Sequence, residues 1–216
     1  MTNNHGGKIC AIISGGERSP FTGIEQADFI IACDRGVEYA MSAGIRPDLI
    51  IGDFDSYSGA LPEGVPVMRL KVEKDDTDTM SAARYAVGHG FFRVEIYCAL
   101  GGRLDHLFAN IQTMAFAVKG GADAHIIGNT EELFAFTGKA VTFPKMPDCS
   151  LSVFALDGKC ENVCIRGAKY CLDNAVIESS FPIGTSNQWV GDEIEVSVGS
   201  GVILVMRCRM PSSNQP

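Results

Sequence analysis

Short apolar runs alternate with helical patterns over the first two thirds of the chain. The runs are Ile9–Ile13, Phe29–Cys33, Leu49–Ile51 and Val94–Cys98, and a Gly or Asp residue follows closely after each. Continuous apolar runs of this length are typical of buried parallel strands. Between Leu104 and Val118, apolar residues recur every three or four positions, which predicts an amphipathic helix. This alternation predicts an α/β sheet with helices on its faces.

A second, less regular helix is predicted to begin near residue 77. Met80, Ala83 and Val87 follow helical spacing, and Asp76 and Thr77 stand just before them. Both residues are of types that cap helix N-termini, because a side-chain oxygen can accept a hydrogen bond from a main-chain N–H of the first turn.

The pattern changes after about residue 135, where short β-rich segments replace the alternation. They cover residues 141–143, 151–154, 162–165, 194–198 and 202–206, and Gly, Pro, Asp and Asn separate them. Such spacing predicts a small all-β sandwich. We therefore expect two domains, a Rossmann-like α/β domain over residues 1–135 and a C-terminal β-sandwich over residues 136–216.

Charge and hydropathy exclude several classes of protein. The 216 residues carry a formal net charge of −8, which disfavours a nucleic-acid partner, since phosphate backbones attract a Lys/Arg excess. No apolar run approaches the roughly 18 residues that a membrane span needs. The first eight residues lack the pattern of a secretory signal.

The eight cysteines predict reduced structural thiols. Cys10, Cys33 and Cys98 lie in apolar runs, where a thiol behaves as a small buried hydrophobe. Cys160 and Cys164 are spaced C-x₃-C with no second metal-spaced pair, which does not favour zinc. Free thiols without a signal segment predict a cytoplasmic protein.

Aspartates are the main candidates for chemistry, because they follow successive strands or precede a helix. They are Asp34, Asp53, Asp55, Asp75, Asp76 and Asp78. Strand ends of an open α/β sheet meet in one crevice, and two residues two apart on extended backbone, such as Asp53 and Asp55, project to the same side. A single Asp-x-Asp is usually a solvated turn, but recurrence after several strands favours a site for a hard divalent cation.

Two glycine-containing loops are candidates for phosphate binding. Gly101-Gly102-Arg103-Leu104-Asp105-His106 joins a strand to the most regular helix, and Arg103 offers a planar, permanently charged fork. Asp105 serves either as the N-cap of that helix or as a ligand contact. Ser14-Gly15-Gly16 is a second, weaker candidate. Neither a P-loop nor a G-x-G-x-x-G motif occurs.

Five segments together resemble the motifs of the thiamine pyrophosphokinase family in their order. They are CDRG (33–36), PDLIIGDFDS (47–56), KDDTDT (74–79), GGRLDH (101–106) with Asn110, and GTSN (184–187). The resemblance extends over about residues 9 to 206. It implies an N-terminal ATP-binding catalytic domain, a C-terminal thiamine-binding β-sandwich, and a homodimer with thiamine bound between subunits. The implied reaction moves diphosphate from ATP-Mg²⁺ to the thiamine hydroxyl.

The resemblance also implies roles for individual residues. Mg²⁺ would be held by Asp53, Asp55 and Asp78, which with Arg103 form the expected catalytic set. ATP would be positioned by Asp34, Thr77, Arg103, Asp105, His106 and Asn110. Thiamine would contact Tyr170, Ser186 and Asn187.

This chain departs from the family pattern at two positions. Arg35 stands where the family usually has Gly, and it either adds a phosphate contact or alters a close backbone approach. Tyr170 stands where the family often has Trp, which keeps a stacking ring. Trp189, after the GTSN segment, is expected in the core rather than at the ligand.

Two other functions are compatible with part of the pattern. A haloacid-dehalogenase-type phosphatase also has Asp-x-Asp after a strand. That class requires Thr or Val two residues after the second Asp, where this chain has Tyr57. A non-catalytic thiamine-binding or regulatory protein could also have this fold. Such a protein would be favoured if Asp53, Asp55 or Arg103 were missing, but all three are present. The residue that takes the hydroxyl proton is left open.

Overall fold

The computed structural model describes residues 7–54, 59–71 and 76–210. The chain divides into two compact units, with the boundary between Asn129 and Thr130. The boundary expected at about residue 135 lies inside a strand of the second unit, Glu131–Phe136, which pairs with a later strand of that unit. The whole is a mixed α/β protein.

Over its described residues, the first unit consists of six parallel strands and three α-helices. The strands are β1 (Ile9–Ile13), β2 (Phe29–Cys33), β3 (Leu49–Gly52), β4 (Val67–Arg69), β5 (Arg93–Tyr97) and β6 (Asp123–Ile127). The helices are α1 (Gly36–Ser42), α2 (Asp78–Gly88) and α3 (Leu104–Lys119), and a short 3-10 helix spans Ile24–Gln26. The predicted apolar runs are thus strands, and both predicted helices are present.

The strands of the first unit lie in the order β6-β5-β1-β2-β3-β4, and each neighbouring pair is parallel. The chain runs outward from β1 to β4 and then returns to the other side of β1 for β5 and β6. The strand order therefore reverses between β1 and β5. In open α/β sheets a crevice forms at the carboxyl ends of the strands at such a reversal, and ligands bind there.

The buried face of α3 is narrower than its apolar pattern predicts. Leu104 and Phe108 are 77% and 61% exposed, whereas Met114, Ala117 and Val118 are buried. The predicted helix is present, but Leu104 and Phe108 of its first two turns are not on the buried face. Along α3, the first buried residue is the polar Asn110. The spacing of the apolar residues therefore did not show at which turn the helix begins to pack against the rest of the first unit.

From Thr130 to Met210, the second unit consists of eight antiparallel strands. They are β7 (Glu131–Phe136), β8 (Lys139–Pro144), β9 (Cys149–Ala155), β10 (Lys159–Arg166), β11 (Leu172–Glu178), β12 (Gly184–Asn187), β13 (Glu193–Val198) and β14 (Ile203–Arg209). Within this unit, β12-β9-β14-β7 lie side by side, and β11-β10-β13-β8 form a separate antiparallel sheet. Side chains from both sets share one buried core, in which the rings of Phe134 and Phe143 meet edge-on with centroids 5.2 Å apart.

The cysteines are all free. Cys10, Cys33 and Cys98 are buried in the first unit, as predicted, and burial raises the pKa of Cys10 to about 12. Cys160 is buried in the core of the second unit, whereas Cys171 is exposed. Within the described residues, no helix combines the length and apolar character that a membrane span requires.

Candidate active site in the first unit

A cleft of about 870 Å³ opens at the carboxyl ends of β1, β2, β3 and β5. Its walls belong entirely to the first unit. The polar and glycine residues that line it include Ser14, Gly15, Gly16, Glu17, Arg18, Asp34, Arg35, Asp53, Thr77, Asp78, Gly101, Gly102, Arg103, His106 and Asn110. The cleft lies where the strand order reverses, so its position follows from the topology of the sheet.

Three aspartates converge in this cleft. Carboxylate oxygens of Asp34, Asp53 and Asp78 all lie within 4.8 Å of one another, and each residue is partly buried. Asp34 follows β2, Asp53 follows β3, and Asp78 is the first residue of α2. Three negative charges this close repel one another strongly unless a cation lies between them. Oxygen donors of this kind suit Mg²⁺, which accepts one or two carboxylates together with substrate phosphates.

The sequence prediction for the metal set agrees with this cluster only in part. Asp53 and Asp78 were expected there, and Asp34, which was expected to position ATP, lies with them. Asp55 and Asp75 lie outside the described residues. Among the described residues, no other group of Asp, Glu, His or Cys side chains is close enough to share one metal ion.

Left-handed backbone turns follow the strands that meet at the cleft. Asp34, Phe54 and Cys98 have φ values of 46°, 61° and 55°, and they stand just after β2, β3 and β5. None is glycine, so each is in a sparsely populated conformation that costs about 1–3 kcal/mol. Such residues persist where the surrounding structure fixes them, and they are concentrated at functional sites.

The loop after β1 is fixed against the loop after β5 by main-chain hydrogen bonds. Gly16 N–H donates to the Cys98 carbonyl at 2.8 Å, and Glu17 N–H donates to the Leu100 carbonyl at 3.0 Å. The Tyr39 hydroxyl donates to the Gly16 carbonyl at 3.0 Å, which attaches the same loop to α1. The Ser14-Gly15-Gly16 segment is therefore a rigid wall of the cleft.

Arg103 and Asp105 form a bidentate ion pair at the start of α3. The Arg103 guanidinium donates from Nε to Asp105 Oδ1 at 3.1 Å and from Nη2 to Oδ2 at 2.6 Å. These hydrogen bonds lower the pKa of Asp105 and raise the pKa of Arg103. Asp105 is not the N-cap, because the helix begins at Leu104 and Arg103 occupies the cap position. The ion pair instead holds the guanidinium at the rim of the cleft.

Three other residues expected at ATP also line the cleft. Thr77 caps α2 as predicted, its Oγ1 accepting from the Met80 N–H at 3.1 Å. Asn110 is buried, and its Nδ2 donates to the Ala99 carbonyl at 2.7 Å. His106 is exposed in the first turn of α3. Contacts of these side chains with ATP stay predictions.

Arg35 occupies the N-cap position of α1 in ordinary right-handed helical geometry, with φ −58° and ψ −21°. This conformation does not require glycine. The guanidinium lies over the Tyr39 ring, 5.3 Å from its centroid, and Arg35 lines the cleft. Arg35 therefore adds a cation at the cleft, and both effects expected for it on ATP stay predictions.

The residues expected at thiamine lie in the second unit. Tyr170 presents an exposed ring, and Asn187 is buried and hydrogen-bonded to the Tyr170 main chain. Ser186 is exposed in a left-handed conformation with φ 57°. Trp189 packs against the core, and its Nε1 donates to the Phe143 carbonyl at 2.9 Å, which confirms the prediction of a packing role.

Sequence reasoning did not single out Glu17, Arg18 or Tyr39, which all line the cleft. Glu17 and Arg18 directly follow the Ser14-Gly15-Gly16 segment, and this position beside a candidate phosphate loop could have identified them. Ser14 was noted only as part of a loop, and Thr79 was noted only inside a motif. Their hydroxyl oxygens lie 2.8 Å apart and connect that loop to α2.

The cleft at the strand-order reversal combines converging carboxylates, glycine loops and arginines. These features are typical of proteins that bind a phosphate compound complexed with a metal ion. Comparisons with known proteins identify the family. Residues 22–126 match the family model for the catalytic domain of thiamin pyrophosphokinase, and residues 141–203 match that for its vitamin B1 binding domain. The chain belongs to the thiamine pyrophosphokinase family.

Individual relatives are similar over nearly their whole length. The thiamine pyrophosphokinase of Bacillus subtilis is 25% identical over 210 residues, which cover 93% of this chain and 98% of that protein. A crystal structure of the Bacillus subtilis enzyme has a TM-score of 0.81 at 23% identity and covers 94% of this chain and 99% of its own. That of Geobacillus thermodenitrificans has a TM-score of 0.78 at 24% identity, covering 95% and 99%. At these identities the two structures support the fold.

Proposed function

We propose that this protein is a thiamine pyrophosphokinase, which transfers a diphosphate group from ATP to the primary hydroxyl of thiamine. The observation that carries this proposal is the convergence of Asp34, Asp53 and Asp78 in the cleft of a chain that matches both family models. Carboxylates alone would repel ATP, so this cluster makes chemical sense as a metal-dependent phosphate site.

In the proposed reaction, the thiamine hydroxyl oxygen forms a bond to the β-phosphorus of ATP. The bond between the β-phosphorus and the oxygen bridging to the α-phosphorus breaks, and that oxygen leaves with AMP. The hydroxyl proton is released. Such transfers depend on in-line positioning and on neutralised charge more than on a protein nucleophile.

Three groups of residues of this chain would support the transfer. Asp34, Asp53 and Asp78 would hold Mg²⁺, with Asp55 as a further ligand predicted from the sequence; the bound ion would neutralise charge on the phosphate oxygens. Arg103 is held by Asp105 through Nε and Nη2. It would offer its remaining N–H groups, on Nη1 and Nη2, to a phosphate. Thr77, His106 and Asn110 would complete the ATP site.

The wider assignment is also part of the proposal. The first unit would be a Rossmann-like ATP-binding catalytic domain, and the second a β-sandwich in which Tyr170, Ser186 and Asn187 form the thiamine site. The protein would act as a homodimer with thiamine bound between subunits. Its eight free thiols favour the cytoplasm.

The products separate this function from its rivals. Incubation with ATP, Mg²⁺ and thiamine should yield AMP and thiamine diphosphate in equal amounts, measured by mass spectrometry. Omission of thiamine or chelation of the metal should abolish AMP formation. A phosphatase would release inorganic phosphate without thiamine, and a thiamine-binding protein would release no AMP. ADP with thiamine monophosphate as the main products would contradict the proposal.

A further inference from the structure

Two segments of the second unit run antiparallel beside Tyr170. Lys169 N–H donates to the Gln188 carbonyl at 2.9 Å, and Val190 N–H donates to the Gly167 carbonyl at 3.1 Å. Ala168 and Trp189 form the bridge between these two bonds. The main chain is therefore fixed by a regular ladder up to the residue before Tyr170.

The side chain of Asn187 continues this ladder at Tyr170. Tyr170 N–H donates to Asn187 Oδ1 at 3.0 Å, and Asn187 Nδ2 donates to the Tyr170 carbonyl at 2.7 Å. Oδ1 also accepts from the Gln188 N–H at 3.0 Å. One amide therefore satisfies both main-chain groups of Tyr170, much as a neighbouring strand would.

These bonds leave little of the Asn187 amide for a ligand. Oδ1 has both of its lone pairs engaged, and Nδ2 has one donor left. Asn187 is only 3% exposed, whereas Tyr170 is 63% exposed. The buried amide thus holds the main chain from which an exposed aromatic ring projects.

We propose that Asn187 is a positioning residue for Tyr170 and not a contact of the thiamine pyrimidine. The proposal rests on the proposed function in one respect, that thiamine stacks on the Tyr170 ring. Fixing the main chain of Tyr170 before binding reduces the conformational freedom that the ring would otherwise lose when thiamine binds. The resemblance to the family implied direct contact for both Ser186 and Asn187, without indicating which way each side chain points in this chain.

A double-mutant cycle tests this role. Asn187→Ala, Tyr170→Ala and the double variant are compared with wild type by steady-state kinetics. Asn187→Ala should raise the KM for thiamine about two- to tenfold, as expected when one aromatic side chain must be ordered on binding, and leave the KM for ATP within about twofold. In the Tyr170→Ala background, Asn187→Ala should add no further rise, because the ring that it positions is gone. Gln188→Ala is the matched control, since it removes an exposed amide next in the chain and keeps the main-chain bonds.

Hydrogen exchange followed by NMR provides a readout that does not depend on thiamine. The Tyr170 amide should exchange at least about tenfold faster in Asn187→Ala than in wild type or Gln188→Ala, since it loses its acceptor. If Asn187→Ala fails to fold, Asn187→Asp applies the same test, because it keeps an acceptor at Oδ1 and loses the bond to the Tyr170 carbonyl. For Asn187→Asp, the measurement is the KM for thiamine. It should rise in the wild-type background and should not rise further in the Tyr170→Ala background.

Three results would overturn the proposal. A rise in the thiamine KM by the same factor in the Tyr170→Ala background as in wild type would show that Asn187 binds the ligand independently of Tyr170. An unchanged thiamine KM together with a protected Tyr170 amide in Asn187→Ala would show that the amide does not hold this residue. A wild-type thiamine KM in Tyr170→Ala would show that thiamine does not stack on this ring. AMP formation would continue in that case, so this failure is distinguishable from failure of the proposed reaction.

Discussion

The hydroxyl oxygens of Ser14 and Thr79 lie 2.8 Å apart in the interior of the first unit. Ser14 follows β1 and begins the glycine loop of the cleft, and Thr79 is next to Asp78 at the start of α2. Both residues are buried, at 2% and 7% exposure, so water cannot replace this bond easily. The pair connects the proposed phosphate loop to the helix that supplies a carboxylate.

Loss of either hydroxyl should therefore affect stability. Thr79→Val keeps the shape of the side chain but leaves the Ser14 hydroxyl without this partner, and we expect the free energy of unfolding to fall by about 1–3 kcal/mol. Ser14→Ala combined with Thr79→Val should cost less than the sum of the single changes, because no unsatisfied hydroxyl remains. Urea denaturation measures all three variants. Strictly additive losses would show that the two hydroxyls do not interact.

The carboxylate cluster predicts a sharp contrast between two neighbouring aspartates. Asp78→Asn removes one charge from the cluster, so turnover should fall at least about 100-fold, as when a preorganised electrostatic group is lost. The Mg²⁺ concentration needed for half-maximal rate should rise. Asp76→Asn is the control, because Asp76 is paired with Arg84 at 2.6 Å and is not one of the three clustered carboxylates.

AMP formation over an Mg²⁺ titration measures both variants, with circular dichroism as the check on folding. Equal loss of activity in Asp76→Asn and Asp78→Asn would contradict a specific role for the cluster.

The position of Arg35 at the cleft predicts that its removal affects the KM for ATP selectively. Arg35 makes no ion pair within the described ranges, and its guanidinium lies at the cleft over Tyr39. Arg35→Ala should raise the KM for ATP about 10- to 150-fold, the size expected for one charge-assisted hydrogen bond, and leave the KM for thiamine unchanged. Arg35→Gly should behave alike, since the backbone there is helical.

Arg93→Ala is the control for the loss of one positive charge; unlike Arg35, Arg93 also pairs with Glu95, at 3.7 Å. Arg93 also lies over an aromatic ring, that of Phe92 at 5.5 Å, but it begins β5 and so stands at the strand end opposite the cleft. Its removal should leave both KM values unchanged. A rise in the KM for ATP as large in Arg93→Ala as in Arg35→Ala would assign the effect to net charge and not to position.

Gly36 is required by a close backbone approach behind the cleft. A Cβ at this position would lie 2.1 Å from the Ile13 carbonyl oxygen, which belongs to β1 and cannot move aside as a side chain can. Gly36→Ala should therefore destabilise the first unit by about 1–3 kcal/mol through overpacking. Gly88→Ala should stabilise it by up to about 1 kcal/mol, because a Cβ there meets nothing within 4 Å and alanine favours the helix. Thermal unfolding would distinguish them, and a tolerated Gly36→Ala would show that β1 and α1 can separate.

The sequence by itself determined the elements and the candidate chemistry of the first unit. The apolar runs at β1 and β2 matched the strands residue for residue, since a fully buried strand is continuous in hydrophobicity and ends at the first polar residue. Asp34, Asp53 and Asp78 were identifiable because strand ends and helix starts are where the sequence changes from apolar to polar. Five motifs in order then identified the family.

Only the tertiary structure decided which of those residues lie together and which way they point. Strand order brings Asp34 to Asp53 and Asp78, and it places Ser14 beside Thr79; these are contacts between residues distant in sequence, about which local pattern carries no information. Periodicity likewise gives the spacing of apolar positions on α3 but not the packing partner, so it does not distinguish the exposed Phe108 from the buried Met114. Asn187 points inward to the Tyr170 main chain because an unpaired main-chain amide and carbonyl needed partners there, a demand that exists only once the chain has folded.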